Sequence, residues 1–370
     1  MTKIATIPKR ILFIPVSSPS GIGEYARSMI IAKALLDCWP KCEIHFILNN
    51  KVNYLADCPY HVHTCQGSAT KDSATVNKVI TTLQPDLVIF DAAGRAKQFK
   101  QAKQVGAKVV FISQHSKKRA RGLKLNRLFY TDMHWVVQPD FCIQELSWWQ
   151  QAKLAVFSKV IPKNIGPVFD LPSTETQTKI LTQFDLEEQS FFLFNAGSGG
   201  HQVSGTLAAD TYYQAAQLFH QQTKVKVIMV FGSNYPKSLP SKSSGVICLS
   251  NIDNESYMAL LIAAQGRVIS AGDTLLQAIS LHKPCVAAAV SSDQPARLKR
   301  CNDEKLVLCA SPTADSLVQQ AMLLVPVQGD NAISLTLEKN MAKLAPQRGL
   351  KTILDDFMLL FGSATRQEKQ

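Results

Sequence analysis

Short runs of consecutive apolar residues alternate with helix-like segments along most of this chain. In the first half the apolar runs are "RILFIPV", "EIHFIL", "PDLVIFD", "AKVVFIS" and "MHWVV". A strand that is apolar at every position is buried on both faces, and the intervening helices cover the two faces of a parallel sheet. The pattern therefore predicts the α/β class, with doubly wound, Rossmann-like parallel sheets.

The alternation breaks once and then restarts. Pro, Gly, Ser and Thr dominate residues 161–179, and the apolar runs resume with "SFFLFNAG". A chain of 370 residues is also long enough to bury two cores of ordinary size. We therefore expect two Rossmann-like domains that face a cleft. Their expected order is an N-terminal domain over residues 1–165, a linker over 166–190, a C-terminal domain over 191–330, and two helices over 331–370 that either stay apart or return to the N-terminal domain.

Positive charge is concentrated in the first half of the chain. Residues 1–165 carry 23 Lys+Arg against 10 Asp+Glu, and the remainder carries 17 against 18, which together give the net charge of +12. Such an excess attracts phosphate groups. Its densest run has no acidic residue. Such a run would contact phosphate in nucleic acid, in an anionic membrane or in a phosphorylated substrate, and the alternative is a solvated basic face without a partner. The basic residues of this run are Lys117, Lys118, Arg119, Arg121, Lys124 and Arg127.

The sequence argues against several classes of protein. No run approaches the roughly 18 apolar residues that span a bilayer, so we expect a cytoplasmic protein, with the inner face of the cytoplasmic membrane as a further option. The 9 cysteines include no Cys-x-x-Cys pair, which favours neither a disulfide framework nor a zinc site. No Asp-x-Asp motif occurs. We expect neither a bound metal nor a cofactor.

A glycine-containing loop follows the first apolar run and opens a helix. Gly21 and Gly23 lie in it, but a dinucleotide site would also have an acidic residue at the end of the second strand, where Asn49 stands instead. The loop presents Glu24 and Arg27 near the helix start. Glu24 is either a general base or a carboxylate that stabilises the helix dipole. We expect the two glycines and Arg27 to contact a substrate.

Two further residues are candidates for a catalytic base. Asp91 ends the strand "LVIFD", and His115 follows the strand "FIS". Ligands of doubly wound sheets bind beyond the carboxyl ends of strands, so both side chains are placed where a substrate would be. A purely structural role is the more common one for each.

A second glycine-rich loop, "NAGSGGHQVSG", follows the first strand of the second half. Backbone N–H groups in such a loop approach an anion closely, and the following helix adds its positive end. The Gly-Lys-Ser/Thr of a P-loop is absent, so ATP hydrolysis is not indicated. A flexible turn is the alternative. The expected binding residues are Gly197, Ser198, Gly199, Gly200 and His201.

A third block of polar residues extends over residues 270–300. It combines a small-residue turn, a helix, a Lys-Pro break into a buried strand, and a second helix. Thr274 and Gln277 are three positions apart, so they share one helix face and can reach the same ligand. The candidate binding residues of this block are Ser270, Gly272, Thr274, Gln277, Asp293 and Gln294.

This third block resembles the nucleotide-sugar signature of GT-B glycosyltransferases, in particular the UDP-N-acetylglucosamine transferase of peptidoglycan synthesis and its relatives. That family reads Ser-Gly-Ala-x-Thr-x-x-Glu, then Gly-Lys-Pro, then Asp-Gln or Asp-x-Gln, where this sequence has "SAGDTLLQ", "HKP" and "DQ". "NAGSGGHQ" is similar to the family's glycine loop, and "SGIGEYAR" is similar to the Gly-x-Gly-His-x-x-Arg loop of related enzymes. The resemblance touches both halves and is specific over about residues 246–300.

The resemblance implies roles for particular residues. Gln277 stands where the family often places a Glu that binds the ribose hydroxyls. Two positions depart from the family, since Glu24 replaces a His and Asp273 stands where a neutral residue is usual. If the first of these positions is catalytic, the base is a carboxylate. The implied diphosphate ligands are Ser198, Gly199 and Gly200, and the implied sugar contacts are Asp293 and Gln294.

Together these features predict an inverting, metal-independent glycosyltransferase with Glu24 as the leading base. The near-neutral C-terminal half would bind a nucleotide sugar, which the resemblance implies to be UDP-linked, and the basic N-terminal half would bind an anionic or lipid-linked acceptor. One alternative is a nucleotide-sugar hydrolase or epimerase of the same form. The other is a non-catalytic nucleic-acid-binding module that uses residues 117–127, which is disfavoured because no aromatic residue interleaves that run.

Overall fold

The chain divides into two compact units. The first unit combines Met1–Phe169 with Arg348–Gln370, and the second unit is Asp170–Gln347. The chain therefore leaves the first unit, forms the second, and returns for its last helix. The computed structural model describes residues 7–16, 22–52, 54–92, 94–157, 160–240, 245–250, 252–326, 331–345 and 348–361.

The first unit contains a doubly wound parallel sheet. Its strands are β1 (Arg10–Pro15), β2 (Glu43–Asn49), β3 (His61–Cys65), β4 (Leu87–Asp91), β5 (Lys108–Ser113), β6 (Met133–Val136) and β7 (Lys163–Asn164). Its helices are α1 (Gly23–Cys38), α2 (Ser73–Leu83), α3 (Ala96–Gln104), α4 (Ser116–Gly122), α5 (Leu125–Leu128), α6 (Trp148–Phe157) and α14 (Gly349–Phe361). In the described residues the strand order is β3-β2-β1-β4-β5-β6-β7, with parallel pairing throughout.

Both faces of this sheet are covered, which explains the uninterrupted apolar runs. In β1, Ile11 and Phe13 belong to the cluster that includes residues of α1 and α14. Leu12 and Ile14 belong to the cluster that includes residues of α2 and α3. Successive strand residues point to opposite faces, so all four side chains are buried.

Helix α14 completes the first of these clusters. Phe357 is fully buried and packs edge-on against Trp135, with the ring centroids 5.0 Å apart. Trp135 Nε1 donates to Asp356 Oδ2 at 2.9 Å, and Lys163 Nζ lies 2.8 Å from Asp356 Oδ1. The last described helix is thus bound to the first unit by both apolar and polar contacts.

The second unit contains another doubly wound parallel sheet. Its strands are β8 (Phe191–Asn195), β9 (Gln202–Val203), β10 (Thr206–Leu207), β11 (Lys226–Val230), β12 (Val246–Leu249), β13 (Gly266–Ser270), β14 (Val286–Ala288) and β15 (Leu308–Cys309). Its helices are α7 (Thr174–Gln183), α8 (Ala208–Thr223), α9 (Asn254–Ala263), α10 (Asp273–Ser280), α11 (Gln294–Asp303), α12 (Ala314–Met322) and α13 (Ala332–Met341). In the described residues the sheet order is β12-β11-β8-β13-β14-β15, and β9 and β10 form a separate antiparallel hairpin.

A buried arginine joins α9 to β13 in the second unit. Arg267 is 1% exposed, and its guanidinium donates to Leu261 O at 2.5 Å, to Ile262 O at 3.1 Å and to the Ala264 carbonyl. The last carbonyls of a helix lack intrahelical partners, so Arg267 caps the C-terminus of α9. Burial lowers the pKa of Arg267 to about 10, and the group stays charged at neutral pH.

The two parallel sheets confirm the predicted fold class, and some elements lie outside the sequence predictions. Strand β3, "HVHTC", is at the sheet edge and largely accessible, so it lacks an apolar run. Residues 166–190 contain helix α7, whose N-cap Ser173 accepts the Thr176 N–H at 3.0 Å. Among the described residues, no helix has both the length and the apolarity needed to cross a membrane.

Candidate functional site

In the first unit, the strand order reverses between β1 and β4, and the candidate side chains lie at the carboxyl ends of these strands. Pro15 of β1 is opposite Asp91 of β4, and the Val16 N–H donates to Asp91 O at 2.9 Å. Such a switch point leaves an opening in which doubly wound folds bind ligands. Helix α1 begins here and brings Glu24 and Arg27 to the same region.

Arg27 and Asp91 form a buried, bidentate ion pair. Arg27 Nε donates to Asp91 Oδ2 at 2.9 Å, and Arg27 Nη2 donates to Asp91 Oδ1 at 2.7 Å. The Ser28 hydroxyl donates to the same carboxylate at 3.4 Å. Asp91 has no exposed surface and Arg27 is 4% exposed. The geometry therefore supports Asp91 as the group that positions Arg27 and gives no direct support to its prediction as a base.

Glu24 lies beside this pair in the first turn of α1 and is half-buried. The amide orientation of Gln114 that satisfies both of its neighbours places Nε2 toward Glu24 and Oε1 toward Arg27. In this orientation Gln114 Nε2 donates to Glu24 Oε1 at 3.3 Å, and Gln114 Oε1 accepts from Arg27 Nη2 at 3.0 Å. Burial raises the pKa of Glu24; Arg27 opposes this rise and Asp91 adds to it. A carboxyl with a raised pKa at a switch point has the properties of a general base.

His115 and Lys118 lie at the N-terminal end of α4, and the charge of Lys118 acts on Glu24. His115 is the N-cap of this helix, and its Nδ1 accepts the Lys118 N–H at 3.4 Å. Lys118 Nζ donates to Ala92 O at 3.0 Å, and burial lowers the pKa of Lys118 while Glu24 raises it. His115 thus has a capping role in the structure, and its prediction as a base stays untested.

The predicted basic run does not form one surface. Arg119 is 4% exposed and donates to Gln144 O at 2.5 Å and to Glu145 O at 3.1 Å. Its guanidinium therefore binds backbone carbonyls inside the first unit and does not face the solvent. Lys118 is half-buried and bonded to a backbone carbonyl. This corrects the expectation that all six cations face a membrane. The exposed or half-buried remainder is Lys117, Arg121, Lys124 and Arg127.

Of the two predicted glycines of the first unit, only Gly23 is among the described residues. Gly21 lies outside the described residues. Gly23 is exposed, begins α1, and a methyl group placed on it would meet no atom within 4 Å. The open space beside Gly23 is compatible with close approach of a substrate, and packing does not require glycine there.

In the second unit, three loops converge at the carboxyl ends of neighbouring strands β8, β13 and β14. A methyl group on Gly197 would lie 3.1 Å from Ser270 Oγ. A methyl group on Gly272 would lie 3.5 Å from Ser270 Oγ and 3.6 Å from Gln294 Nε2. These residues come from the glycine-rich loop and the third polar block, which the resemblance in the sequence assigns to one nucleotide sugar, and the structure brings them together at the reversal of strand order.

Asn195, the last residue of β8, fixes the shape of the glycine loop. Its Nδ2 donates to Val230 O at 2.8 Å and to Gly197 O at 3.1 Å, while its Oδ1 accepts the Gly197 N–H at 3.0 Å. The next residue in the loop, Ser198, has its Oγ buried without a hydrogen-bond partner among the described residues. A buried hydroxyl without a partner is costly, and a ligand oxygen would satisfy it. The sequence places Asn195 in the predicted loop but does not indicate its role.

Gly199 is required by the backbone of this loop. Its φ is +91°, and a methyl group would lie 2.3 Å from Phe231 O. Gly199→Ala is expected to lower the free energy of unfolding of the second unit by about 2–4 kcal/mol, from left-handed strain together with steric overlap. Gly205 also has a positive φ, +83°, with nothing within 4 Å. Gly205→Ala therefore retains only the strain, about 1 kcal/mol.

Circular dichroism during thermal unfolding measures the loss of stability in both glycine variants. Tryptophan fluorescence is an internal control, because Trp39, Trp135, Trp148 and Trp149 are all the tryptophans of the chain and belong to the first unit. Equal destabilisation by the two variants would contradict the prediction. It would mean that the backbone shifts to relieve the contact between the methyl group added at Gly199 and Phe231 O without a loss of stability.

Helix α10 presents Thr274 and Gln277. Its N-cap, Gly272, makes no side-chain capping bond, so the first-turn N–H groups have no side-chain partner there. Thr274 and Gln277, one turn apart on this helix, are both half-buried. Asp273, where the family has a neutral residue, lies 3.4 Å from Arg297 Nη2. This charge is thus balanced inside the unit.

The remaining predicted residues line the same loops. Asp293 is exposed and accepts the Ser291 hydroxyl at 2.6 Å. Gln294 is buried, and its Oε1 accepts the Val290 N–H at 2.8 Å, so this side chain shapes the loop after β14. Gly200 and His201 are half-buried and complete the glycine loop. In the described part of the chain, no group of three or more His, Cys, Asp or Glu side chains is arranged to hold a metal.

Comparison with known proteins gives the fold. No protein-family model matches the sequence, and no curated protein matches it. The calicheamicin glycosyltransferase CalG4 has a TM-score of 0.60 at 11% identity, over 96% of this chain and 98% of that one. The glycosyltransferase VinC in complex with dTDP has a TM-score of 0.58 at 15% identity, over 95% and 99%.

A protein of a different activity has the same fold. A putative UDP-N-acetylglucosamine 2-epimerase from Listeria monocytogenes has a TM-score of 0.56 at 13% identity, over 99% of this chain and 98% of that one. At such identities the likeness concerns the fold alone. The chain has the GT-B fold, which confirms the fold implied by the resemblance in its sequence.

Proposed function

We propose that this GT-B chain transfers a sugar from a nucleoside diphosphate sugar to an acceptor hydroxyl, with inversion and without a metal. The observation that carries the proposal is the convergence of three loops around Ser270 Oγ in the second unit. Beside it, the buried Ser198 Oγ has no hydrogen-bond partner among the described residues. A site with these features is suited to phosphate oxygens at the strand-order reversal.

The second unit is proposed to bind the donor, which we take to be a UDP-sugar. The N–H groups of the loop at Ser198 and Gly199, with the first turn of α10, would bind the diphosphate and stabilise it as leaving group. Gln277 would bind the ribose hydroxyls, and Asp293 would bind the sugar. Gln294 would act through the loop that its hydrogen bond to Val290 shapes.

The first unit is proposed to bind the acceptor. Glu24 would accept the proton of the attacking hydroxyl, since its raised pKa makes the carboxylate a stronger base than an ordinary Glu. Arg27, held by Asp91, would keep Glu24 and Gln114 in place. The net charge of +13 over residues 1–165, from 23 Lys+Arg and 10 Asp+Glu, favours an anionic acceptor, free or linked to a lipid.

A panel of nucleoside diphosphates tests the donor site. We expect one of UDP, dTDP and GDP to raise the melting temperature; at 100 times its Kd the stabilisation is about 2.7 kcal/mol, or roughly 5–10 °C for a unit of this size. Gln277→Ala is expected to lose most of this shift. Gln214→Ala is the matched control, because Gln214 is an exposed Gln on α8.

The outcomes of the panel separate the possibilities. A shift that is equal in the two glutamine variants would remove Gln277 from the site, and no shift with any nucleotide would remove the donor proposal. The epimerase of the same fold motivates a second candidate function, nucleotide-sugar epimerisation or hydrolysis. Incubation with a UDP-sugar but no acceptor distinguishes it, because rapid stoichiometric release of free sugar or an epimerised donor would contradict transfer.

A further inference from the structure

A basic cavity opens on the first unit, separate from the residues assigned to either substrate above. It has a volume of about 620 Å³. Five of its nine described lining residues are Lys or Arg, and none of the nine is Asp or Glu. The lining residues are Thr70, Lys71, Ser73, Arg95, Ala96, Lys97, Lys124, Asn126 and Arg127.

The cations of this cavity lack the carboxylate partners that other cations of the unit have. Lys103 Nζ lies 2.8 Å from Asp132 Oδ2, and the Arg27 guanidinium is paired with Asp91. None of the five cavity cations forms an ion pair with a residue that the structure describes. Their charges are therefore without a direct carboxylate contact among the described residues.

Two of the five cations are fixed by the fold. Arg95 Nε donates to Thr70 O at 3.0 Å, which holds the side chain across the loop before α2. The Arg127 guanidinium lies 5.9 Å from the centre of the Phe99 ring, and its Nη1 donates to Arg121 O at 3.4 Å. Burial, and then the nearby charges of Arg95 and Arg121, lower the pKa of Arg127. Both arginines are thus ordered before any ligand arrives.

The cavity also offers neutral hydrogen-bond donors. The hydroxyls of Thr70 and Ser73 and the amide of Asn126 line it together with the cations. Arg95 is the N-cap of α3, so the positive end of a nine-residue helix adds to the potential of the side chains. Guanidinium, ammonium and hydroxyl donors in one cavity are the combination that binds phosphate oxygens.

We propose that this cavity binds a ligand with two or more phosphate groups. A single phosphate group carries a charge of about −1.5 to −2 at neutral pH, which balances only two of the five cations. The ligand is either a free phosphorylated molecule or the headgroup of a phosphorylated lipid. The proposal does not rest on the glycosyl transfer proposed above, because the cavity residues have no part in it.

A charge-matched pair of triple variants tests the proposal. Lys71→Ala/Lys97→Ala/Lys124→Ala removes three exposed cations of the cavity, and Lys51→Ala/Lys78→Ala/Lys100→Ala removes three exposed cations elsewhere on the same unit. Lys78 and Lys100 lie on α2 and α3, the two helices that also contribute Ser73 and Lys97 to the cavity. Calorimetric titration with inorganic diphosphate measures affinity, and hydrogen exchange shows where the ligand protects the backbone.

We expect diphosphate to slow exchange in the cavity segments and to bind at least about tenfold more weakly to the cavity variant, with the control within about twofold of the unaltered chain. Hydrogen exchange separates this binding from any at the second unit. Sedimentation with vesicles that contain cardiolipin, a lipid whose headgroup carries two phosphate groups, forms the second arm. Vesicle binding that is lost only in the cavity variant, without diphosphate binding, identifies a lipid headgroup as the source of the phosphate groups.

Two results would overturn the proposal. One is an absence of both diphosphate and vesicle binding at the cavity. The other is an equal loss of binding in the two triple variants, which would mean that net charge alone attracts the ligand. A failure of the nucleotide panel has no bearing on either result, since that panel reports on the second unit.

Discussion

Asp91→Ala is expected to lower the free energy of unfolding of the first unit by about 3–5 kcal/mol. The substitution leaves the Arg27 guanidinium, which is 4% exposed, buried without its bidentate partner. A buried cation that loses its bidentate carboxylate is costly because the remaining contacts replace little of the hydration it has lost. Urea unfolding followed by tryptophan fluorescence measures the effect on the first unit alone, since all four tryptophans belong to it.

A control variant and a double variant test whether the loss of stability comes from the buried charge of Arg27. Asp57→Ala removes an exposed carboxylate from the same unit and is expected to change stability by no more than about 0.5 kcal/mol. Arg27→Met/Asp91→Leu removes both charges together and is expected to recover most of the loss. A cost below about 1 kcal/mol for Asp91→Ala would contradict the buried ion pair described here.

Glu24→Gln is expected to lower the rate of sugar transfer by about 10²–10⁴-fold, the usual contribution of a general base. The amide keeps the size of the side chain but cannot accept the proton. Nucleotide binding should be unchanged, because the residues that we propose to bind the donor belong to the second unit. Release of nucleoside diphosphate, from the donor that the panel selects and with a cell extract as the source of acceptor, measures the rate.

The pH dependence provides a second readout for Glu24. Burial raises its pKa above 4.5, so the acidic limb of the pH–rate profile should lie above that value and should disappear in Glu24→Gln. A carboxyl with a raised native pKa binds its proton more tightly in the folded state. Its contribution to stability is therefore present below the unfolded pKa and is lost as pH rises through the native pKa.

The direction of this pH dependence distinguishes the two roles that the sequence leaves open for Glu24, which are a general base and a carboxylate that stabilises the helix dipole. If Glu24 served only the helix dipole, its charged form would stabilise the protein, and Glu24→Gln would cost about 0.3–1 kcal/mol at neutral pH. The raised pKa predicts no such loss. An unaltered transfer rate with a measurable loss of stability would favour the dipole role over the base.

Sequence patterns predict the two sheets and the convergence of the second unit's loops because both depend on local signals. Apolar runs mark buried strands, and the carboxyl ends of adjacent parallel strands meet at one edge. The pairing of Arg27 with Asp91 spans 64 positions and has no periodic signal. Only the strand order, which the sequence does not give, places β1 beside β4.

Other differences arise from the direction of side chains on helices. Lys118 and Arg119 are adjacent in a run of cations, but neighbours on a helix point about 100° apart, so one reaches Ala92 and the other is buried. Composition therefore overstates the exposed charge. Trp148 and Trp149 are apolar neighbours on α6, yet they are 64% and 67% exposed.

The position of α14 has a consequence for the order in which the protein is made. A ribosome delivers Phe357, which packs on Trp39 and Trp135, only after the whole of the second unit has been synthesised. Until then the nascent first unit lacks part of its apolar cover. The first unit is thus completed only after the second unit has been translated, and until then its incomplete apolar surface is open to chaperones and proteases.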